Sequence, residues 1–270
     1  MSTDKIKQFV CLSGLPRTGS TLLSAILSQN PLIHAEGNSA VCQLMWDMQQ
    51  SCALKAREQL AANRREQTAH DLVSAIPHLY YKDCAGKIVV DKCRSWTIDA
   101  NIELLKKYVS DEYKIIVLER PVTEVIKSFA RLYKENHLEK DLNTFLVPLS
   151  EPIMRSIHGI MAIKKQLNEM NTPGAHFLFI SYDELVNKTE ETVQKIYTFC
   201  GWEPFKHNFK NVEIKYEEDD TVYGLKGQHK IRSVVKKAQN LIKLPEDILK
   251  KCTTIDTLMG YLPRAEGAAT

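Results

Sequence analysis

No stretch of about 18 apolar residues occurs in the sequence, so nothing in it is suited to span a bilayer. The N-terminal MSTDKIKQFVCLSG has no apolar leader core followed by a cleavage site, and its short apolar run reads as a strand. Neither CxxC nor HExxH is present. The seven cysteines (Cys11, Cys42, Cys52, Cys84, Cys93, Cys200 and Cys252) are odd in number and widely spaced. That pattern argues against a disulfide framework and a zinc site, and for the reducing cytoplasm. Nor is there an excess of charge of one sign. Lys and Arg number 36 against 33 Asp and Glu, a net +3, which speaks against nucleic acid as a partner. The 11 Gly and 10 Pro are scattered, excluding collagen-like and low-complexity chains.

What remains is a globular composition, 44% hydrophobic over 270 residues, expected to form one domain over 1–270. Four short apolar runs, FVCLS at 9–13, KIVVD at 87–91, KIIVLE at 114–119 and FLFIS at 177–181, are nearly continuous rather than alternating. Such runs suit strands covered on both faces. Helical patterns lie between them, at 20–29, 41–81 (two or more helices), 96–109, 123–134, 152–170, 189–200 and 245–259. Asn171, Pro173 and Gly174 end one of these, and Gly201 stands at the C-cap of another. The alternation predicts an α/β, three-layer P-loop-like fold with a central, mostly parallel sheet. Residues 215–243, polar and basic around GLKGQHKIRSVVKKAQ, read as a functional loop or lid.

The most informative motif is GLPRTGSTLL at 14–23, directly after the first strand and opening a helix. Gly14 and Gly19 have GxxxxG spacing and Thr21 stands at the Ser/Thr position, a backbone cradle for phosphate. The lysine that would reach β- and γ-phosphates is replaced by Ser20, and the cation is Arg17, inside the loop. Only Asp91 is a candidate magnesium partner. A shorter anionic tail fits this loop better than Mg-ATP.

Read with three later segments, the loop resembles that of the sulfotransferase family, in its bacterial and tyrosylprotein-like branches. These enzymes transfer a sulfonyl group from 3′-phosphoadenosine-5′-phosphosulfate (PAPS) and release 3′,5′-ADP (PAP). Pro16, Arg17, Thr18, Gly19, Ser20, Thr21 and Leu22 match the 5′-phosphosulfate loop. Arg120 and Ser128, eight residues apart across a strand end and the next helix, match the 3′-phosphate segment, although the usual R-D-P-R reads R-P-V-T here. The run FISYDEL at 179–185 looks like the family's strand end with Tyr182, and YGLKGQHKIRS at 223–233 resembles the late basic loop over the nucleotide, with Gly227 and Lys230. The resemblance implies a PAPS-dependent, metal-independent transferase acting on a small-molecule or peptide hydroxyl, or an amine, with acceptor specificity in 36–82 and 134–170.

In-line transfer needs charge at the leaving oxygen and a base for the acceptor. Arg17 suits the first task. Lys92 matches a strand-end lysine of the tyrosylprotein branch, as stabiliser or acid. That branch has a Glu 21 residues after the loop arginine, where this chain has Asn38. Glu36, expected on the loop leaving the first helix, is the leading base, with His34 and Asp91 as rivals. The cytosolic branch places its His near the second strand, where Cys93 and Arg94 stand. Met45, Trp46 and Met48 line either an acceptor pocket or the core. A P-loop small-molecule kinase and a non-catalytic nucleotide or nucleic-acid binder are the competing readings. The missing lysine opposes the first, and the scarcity of aromatics in 226–243 opposes nucleic acid.

Overall fold

The computed structural model describes residues 5–148, 150–170, 175–237 and 241–262. The expected breakers Asn171, Pro173 and Gly174, and Ala238 and Gln239 of the basic segment, lie outside them. The five strands are β1 (Gln8–Gly14), β2 (Ile33–Asn38), β3 (Ile88–Lys92), β4 (Lys114–Glu119) and β5 (Phe177–Ser181). They form one sheet in the order β2-β3-β1-β4-β5, with every pairing parallel. The helices are α1 (Ser20–Leu27), α2 (Val41–Gln50), α3 (Arg57–Ala62), α4 (Glu66–Tyr80), α5 (Asp99–Tyr108), α6 (Val122–Glu135), α7 (Met154–Met170), α8 (Tyr182–Asn187), α9 (Thr189–Cys200) and α10 (Glu246–Leu258).

Successive side chains of a strand point to opposite faces, and here each face meets its own core. Cys11, Val89, Ile115 and Val117 pack with Met45, Val73, Leu105 and Ile126 on the face carrying α2, α4, α5 and α6. Val10, Leu12, Val90, Ile116 and Leu118 pack with Leu23, Ile26, Val193 and Ile196 of α1 and α9. Burial on both faces explains why these strands are continuously apolar.

One strand escaped the sequence pattern. β2 (IHAEGN) is an edge strand that pairs only with β3, and its register slips between Ala35 and Asn38. A half-covered edge does not demand a β-branched run, so the segment looked like a loop. Glu36 therefore stands on a strand rather than on the loop leaving α1. The predicted helix at 96–109 is also divided. Trp96 belongs to a 3₁₀ turn, Arg94–Thr97, and the α-helix begins at Asp99. Thr189–Cys200 forms as expected, with Gly201 left-handed at its C-cap, φ +69°.

α10 anchors α6 through one buried carboxylate. Asp256 accepts from the Val122 N–H, from the Thr123 N–H at 3.1 Å and from Thr123 Oγ1 at 2.6 Å. It supplies the cap that the preceding Pro121 has no side-chain donor or acceptor to provide. Asp256→Ala leaves these buried donors unpaired and should lower unfolding stability by about 2–4 kcal/mol. Urea unfolding checks this, and Asp256→Asn should lose less because its amide oxygen still accepts.

Candidate active site

The carboxyl ends of β1, β3 and β4 lie side by side, the edge at which open α/β sheets bind ligands. β1 delivers the 14–21 loop, β3 delivers Lys92, and β4 runs into Arg120. Gly14, at φ +130°, pairs with Leu118, and a Cβ there would collide with the Leu118 carbonyl. Gly19 sits left-handed at φ +87° immediately before α1, and Arg17 takes φ +63°, an uncommon value for a residue with a side chain. Thr18 is buried and donates to the Leu15 carbonyl at 2.7 Å, which closes the turn. α1 has no acidic residue in its first turn and no side-chain cap, so its N-terminal partial positive charge faces the loop uncompensated.

The loop and the β4 end interlock. Arg17 Nε donates to Ser128 Oγ on α6 at 3.0 Å, and Arg17 Nη1 donates to the Gln228 carbonyl. Arg120 Nη1 donates to the Arg17 carbonyl at 2.9 Å, while its guanidinium lies 4.2 Å from the Tyr182 ring centroid. Its ion pair is with Glu124, at 3.8 Å; the adjacent Glu119 pairs instead with Lys164 and Tyr261. Burial depresses the pKa of Arg17, and the neighbouring charges of Arg131 and Arg120 push in the same direction. Burial likewise lowers Arg120. Positive charge is thus concentrated where solvent screens it poorly, an environment that favours an anion.

A cavity of about 570 Å³ covers this edge, lined by Pro16, Arg17, Gly19, Ser20, Thr21, Leu22, Lys92, Arg120, Ser128, Tyr182 and Lys230. The expected cofactor residues therefore share one space, apart from Thr18, buried beneath the turn, and Gly227. Gly227 lines a second cavity of about 230 Å³, beside β2, together with Glu36, Lys92, Glu218, His229 and Lys230. Cys93 and Arg94 face the first.

Lys92 is 6% exposed, and its Nζ lies 3.3 Å from Glu218 Oε1. Burial lowers its pKa, partly opposed by Glu218. Burial would raise Glu218, yet the His229 hydrogen bond and the Lys92 charge hold it at about 2. Glu218 also accepts from the Asn38 N–H, and a Cβ at Gly37 would overlap its carboxylate. A carboxylate thus stands beside position 38 after all, brought from a segment 180 residues away. Sequence reasoning missed it because the acidic run in KYEEDD has no motif. Its only signal was its place just before the basic loop.

Of the candidate bases, Glu36 Oε2 lies 2.9 Å from His34 Nε2, and the buried His34 ring packs 4.4 Å from Tyr216. Asp91 is fully buried and accepts from Ser39 Oγ, from Tyr81 OH at 2.8 Å and from Trp96 Nε1 at 2.6 Å. It ties β3 to its surroundings and lines neither cavity. Met45 is fully buried and Met48 packs against the same core, while Trp46 is exposed. Among the described residues no group of three or more His, Cys, Asp or Glu is placed to hold a metal. No helix among them is long and apolar enough to cross a membrane.

The late segment reaches this edge, where Gln228, His229 and Lys230 line the first cavity. Lys226 N donates to Asn136 Oδ1 at 2.7 Å, and Asn136 Nδ2 returns a bond to the Lys226 carbonyl at 3.0 Å, tying the segment to the end of α6.

The sulfotransferase domain of the Synechococcus PCC 7002 olefin synthase superposes with a TM-score of 0.61 at 18% identity, over 96% of this chain and 97% of that one. The sulfotransferase domain of the curacin biosynthetic pathway gives 0.56 at 17% identity, over 95% and 98%. A sulfotransferase from Alicyclobacillus acidocaldarius gives 0.52 at 11% identity, over 94% and 95%. These likenesses establish the shared fold. No curated protein sequence matches the chain. The sulfotransferase family model matches residues 10–207, which holds the phosphate loop, Lys92, Arg120 and Ser128, and the chain belongs to that family.

Proposed function

We propose that this sulfotransferase takes its sulfonyl group from PAPS and delivers it, without a metal, to a hydroxyl or amine of a small molecule or peptide, releasing PAP. The observation that carries this reading is the Arg17–Ser128 hydrogen bond, with Arg120 held on the Arg17 carbonyl. Two anion-binding segments, distant in sequence, meet in one cavity, and a donor with a phosphosulfate and a separate 3′-phosphate needs two such sites. The residues fit it. The glycine-shaped turn and the N-terminus of α1 suit the 5′-phosphosulfate, Arg120, Ser128 and Tyr182 suit the 3′-phosphate, and Gly227 and Lys230 cover the nucleotide. When bound, PAPS supplies a sulfonyl group on a good phosphate leaving group.

Arg17 and Lys92 then concentrate positive charge at the breaking bond, in a site where burial strengthens it. Proton removal falls to a group on the second cavity, where Glu36, Glu218 and His229 stand. A single domain over 1–270 in the cytoplasm, with no nucleic-acid partner, accords with this reading. Seven free thiols favour that compartment. The same observations oppose the kinase reading, because Ser20 lines the loop where a lysine would serve ATP.

In a thermal-shift titration, PAP should stabilise the chain with EDTA present, by about 2.7 kcal/mol at a hundredfold excess over Kd. ATP with magnesium should shift it less. A larger shift with ATP and magnesium than with PAP would rule the donor out.

Arg17→Ala should cut kcat by about 10²–10³. Arg120→Ala and Ser128→Ala should chiefly raise the KM for PAPS, because the 3′-phosphate is remote from sulfur and changes little in the transition state. Steady-state kinetics with labelled PAPS separates the two effects. Near wild-type turnover by Arg17→Ala would contradict its role.

A further inference from the structure

His229 lies in the late basic run YGLKGQHKIRS without a role assigned to it there, and it lines both cavities, as do Lys92, Lys230 and Thr21. Its Nδ1 lies 2.5 Å from Asp220 Oδ1, and its backbone N–H donates to Asp220 Oδ2 at 3.2 Å. One carboxylate thus grips both the ring and the main chain of the same residue. Nε2 points the other way, 2.7 Å from Glu218 Oε2, and the far oxygen of Glu218 meets Lys92. The line Asp220–His229–Glu218–Lys92 runs from the late segment to the carboxyl end of β3. The Tyr223 ring, centred 6.0 Å away, and the Gln228 amide, 3.4 Å from Nε2, complete its polar surroundings.

The alternatives are less well placed. Asp91 is enclosed and saturated. Glu36 lines only the second cavity and is engaged with His34. Glu218, held at about 2, remains a charge rather than a proton acceptor at neutral pH. An imidazole fixed at Nδ1 by a carboxylate is the arrangement that general-base histidines use, and here Nε2 meets a displaceable partner, Glu218, on the cavity wall.

Building on the sulfonyl-transfer reading, we propose that His229 is the general base of this enzyme and that Asp220 is its positioning residue. His229 Nε2 takes the proton of the acceptor O–H while the acceptor oxygen forms its bond to sulfur. The bridging S–O bond breaks, and its electron pair leaves on the 5′-phosphate oxygen of PAP. His229 then returns the proton to solvent once the product has gone. Glu218 holds Nε2 and Lys92 in register; when the acceptor displaces it, the proton between Nε2 and Glu218 passes to solvent and leaves Nε2 free to accept.

The test uses the full-length chain and two readouts. The first needs no acceptor. In ¹⁵N spectra of histidine-labelled protein, with and without PAP, the resonance missing from His229→Gln should show a fixed Nδ1–H, and Asp220→Ala should abolish that signature. The second is PAP release from PAPS with 2-phenylethanol or 4-nitrophenol as acceptor. His229→Gln should slow transfer to the alcohol by about 10²–10⁴. Transfer to the readily ionised phenol should stay within a few-fold, and PAP affinity should be unchanged.

Three results would overturn the proposal: alcohol transfer at the wild-type rate in His229→Gln, the same selective loss in Glu36→Gln instead, or an Nδ1–H signature that survives Asp220→Ala. Wild-type protein that neither binds PAP nor consumes PAPS would refute the donor reading itself, while the ring spectra would still decide how His229 is held.

Discussion

Burial of Arg120 and Lys92, with Arg17 half-buried beside them, at one edge of the sheet is the constraint around which the rest is arranged. Removing a cation from water is costly unless hydrogen bonds and opposite charge replace the solvent. The chain replaces it unevenly. Lys92 has the Glu218 carboxylate, whereas Arg17 has a hydroxyl and a carbonyl, and Arg120 has a carbonyl, a ring face and a distant Glu124. A hydroxyl, carbonyls and a ring thus stand against Arg17 and Arg120 where a carboxylate stands against Lys92. Three parallel strands must end in register to assemble this cluster, and the Gly14–Leu118 pairing, too close for a Cβ, sets how near β1 and β4 approach.

The loop differs from a nucleotide triphosphatase loop in one charge and its direction. A lysine after the second glycine would point along the helix axis toward a terminal phosphate. Arg17, inside the turn and left-handed, instead projects across to α6 and the late segment. The same residue thereby links the 14–21 loop, α6 and the late segment. Nearby, Asp91 spends its acceptor capacity on Ser39, Tyr81 and Trp96, fixing the end of β3 so that Lys92 emerges at a set position.

The late segment brings several polar side chains to the same sheet edge. It contributes Glu218, Asp220, Gln228 and His229 within a dozen residues, and it is held by Asn136 on one side and by the Val212 N–H to Ser233 carbonyl bond, 2.7 Å, on the other. With little regular structure of its own, its order derives from these ties to the rest of the fold.

Patterns local in the chain were legible without coordinates. Continuous apolar runs announced four strands, three of them buried on both faces, and the glycine spacing of 14–21 announced a tight turn, because Gly14 and Gly19 both take positive φ. Arg120, after a strand, and Ser128, on the next helix, were singled out by their place despite a degraded motif, and both line the first cavity. The edge strand β2 was not legible, since one covered side imposes no clear composition. Nor was the pairing of Glu218 with Asn38 and Lys92, or of Asp220 with His229 beside them, because these contacts depend on how an irregular segment folds back across the sheet. Sequence spacing determines which residues share a turn or a helix face; which distant charges neutralise one another is settled only when packing brings them out of water together.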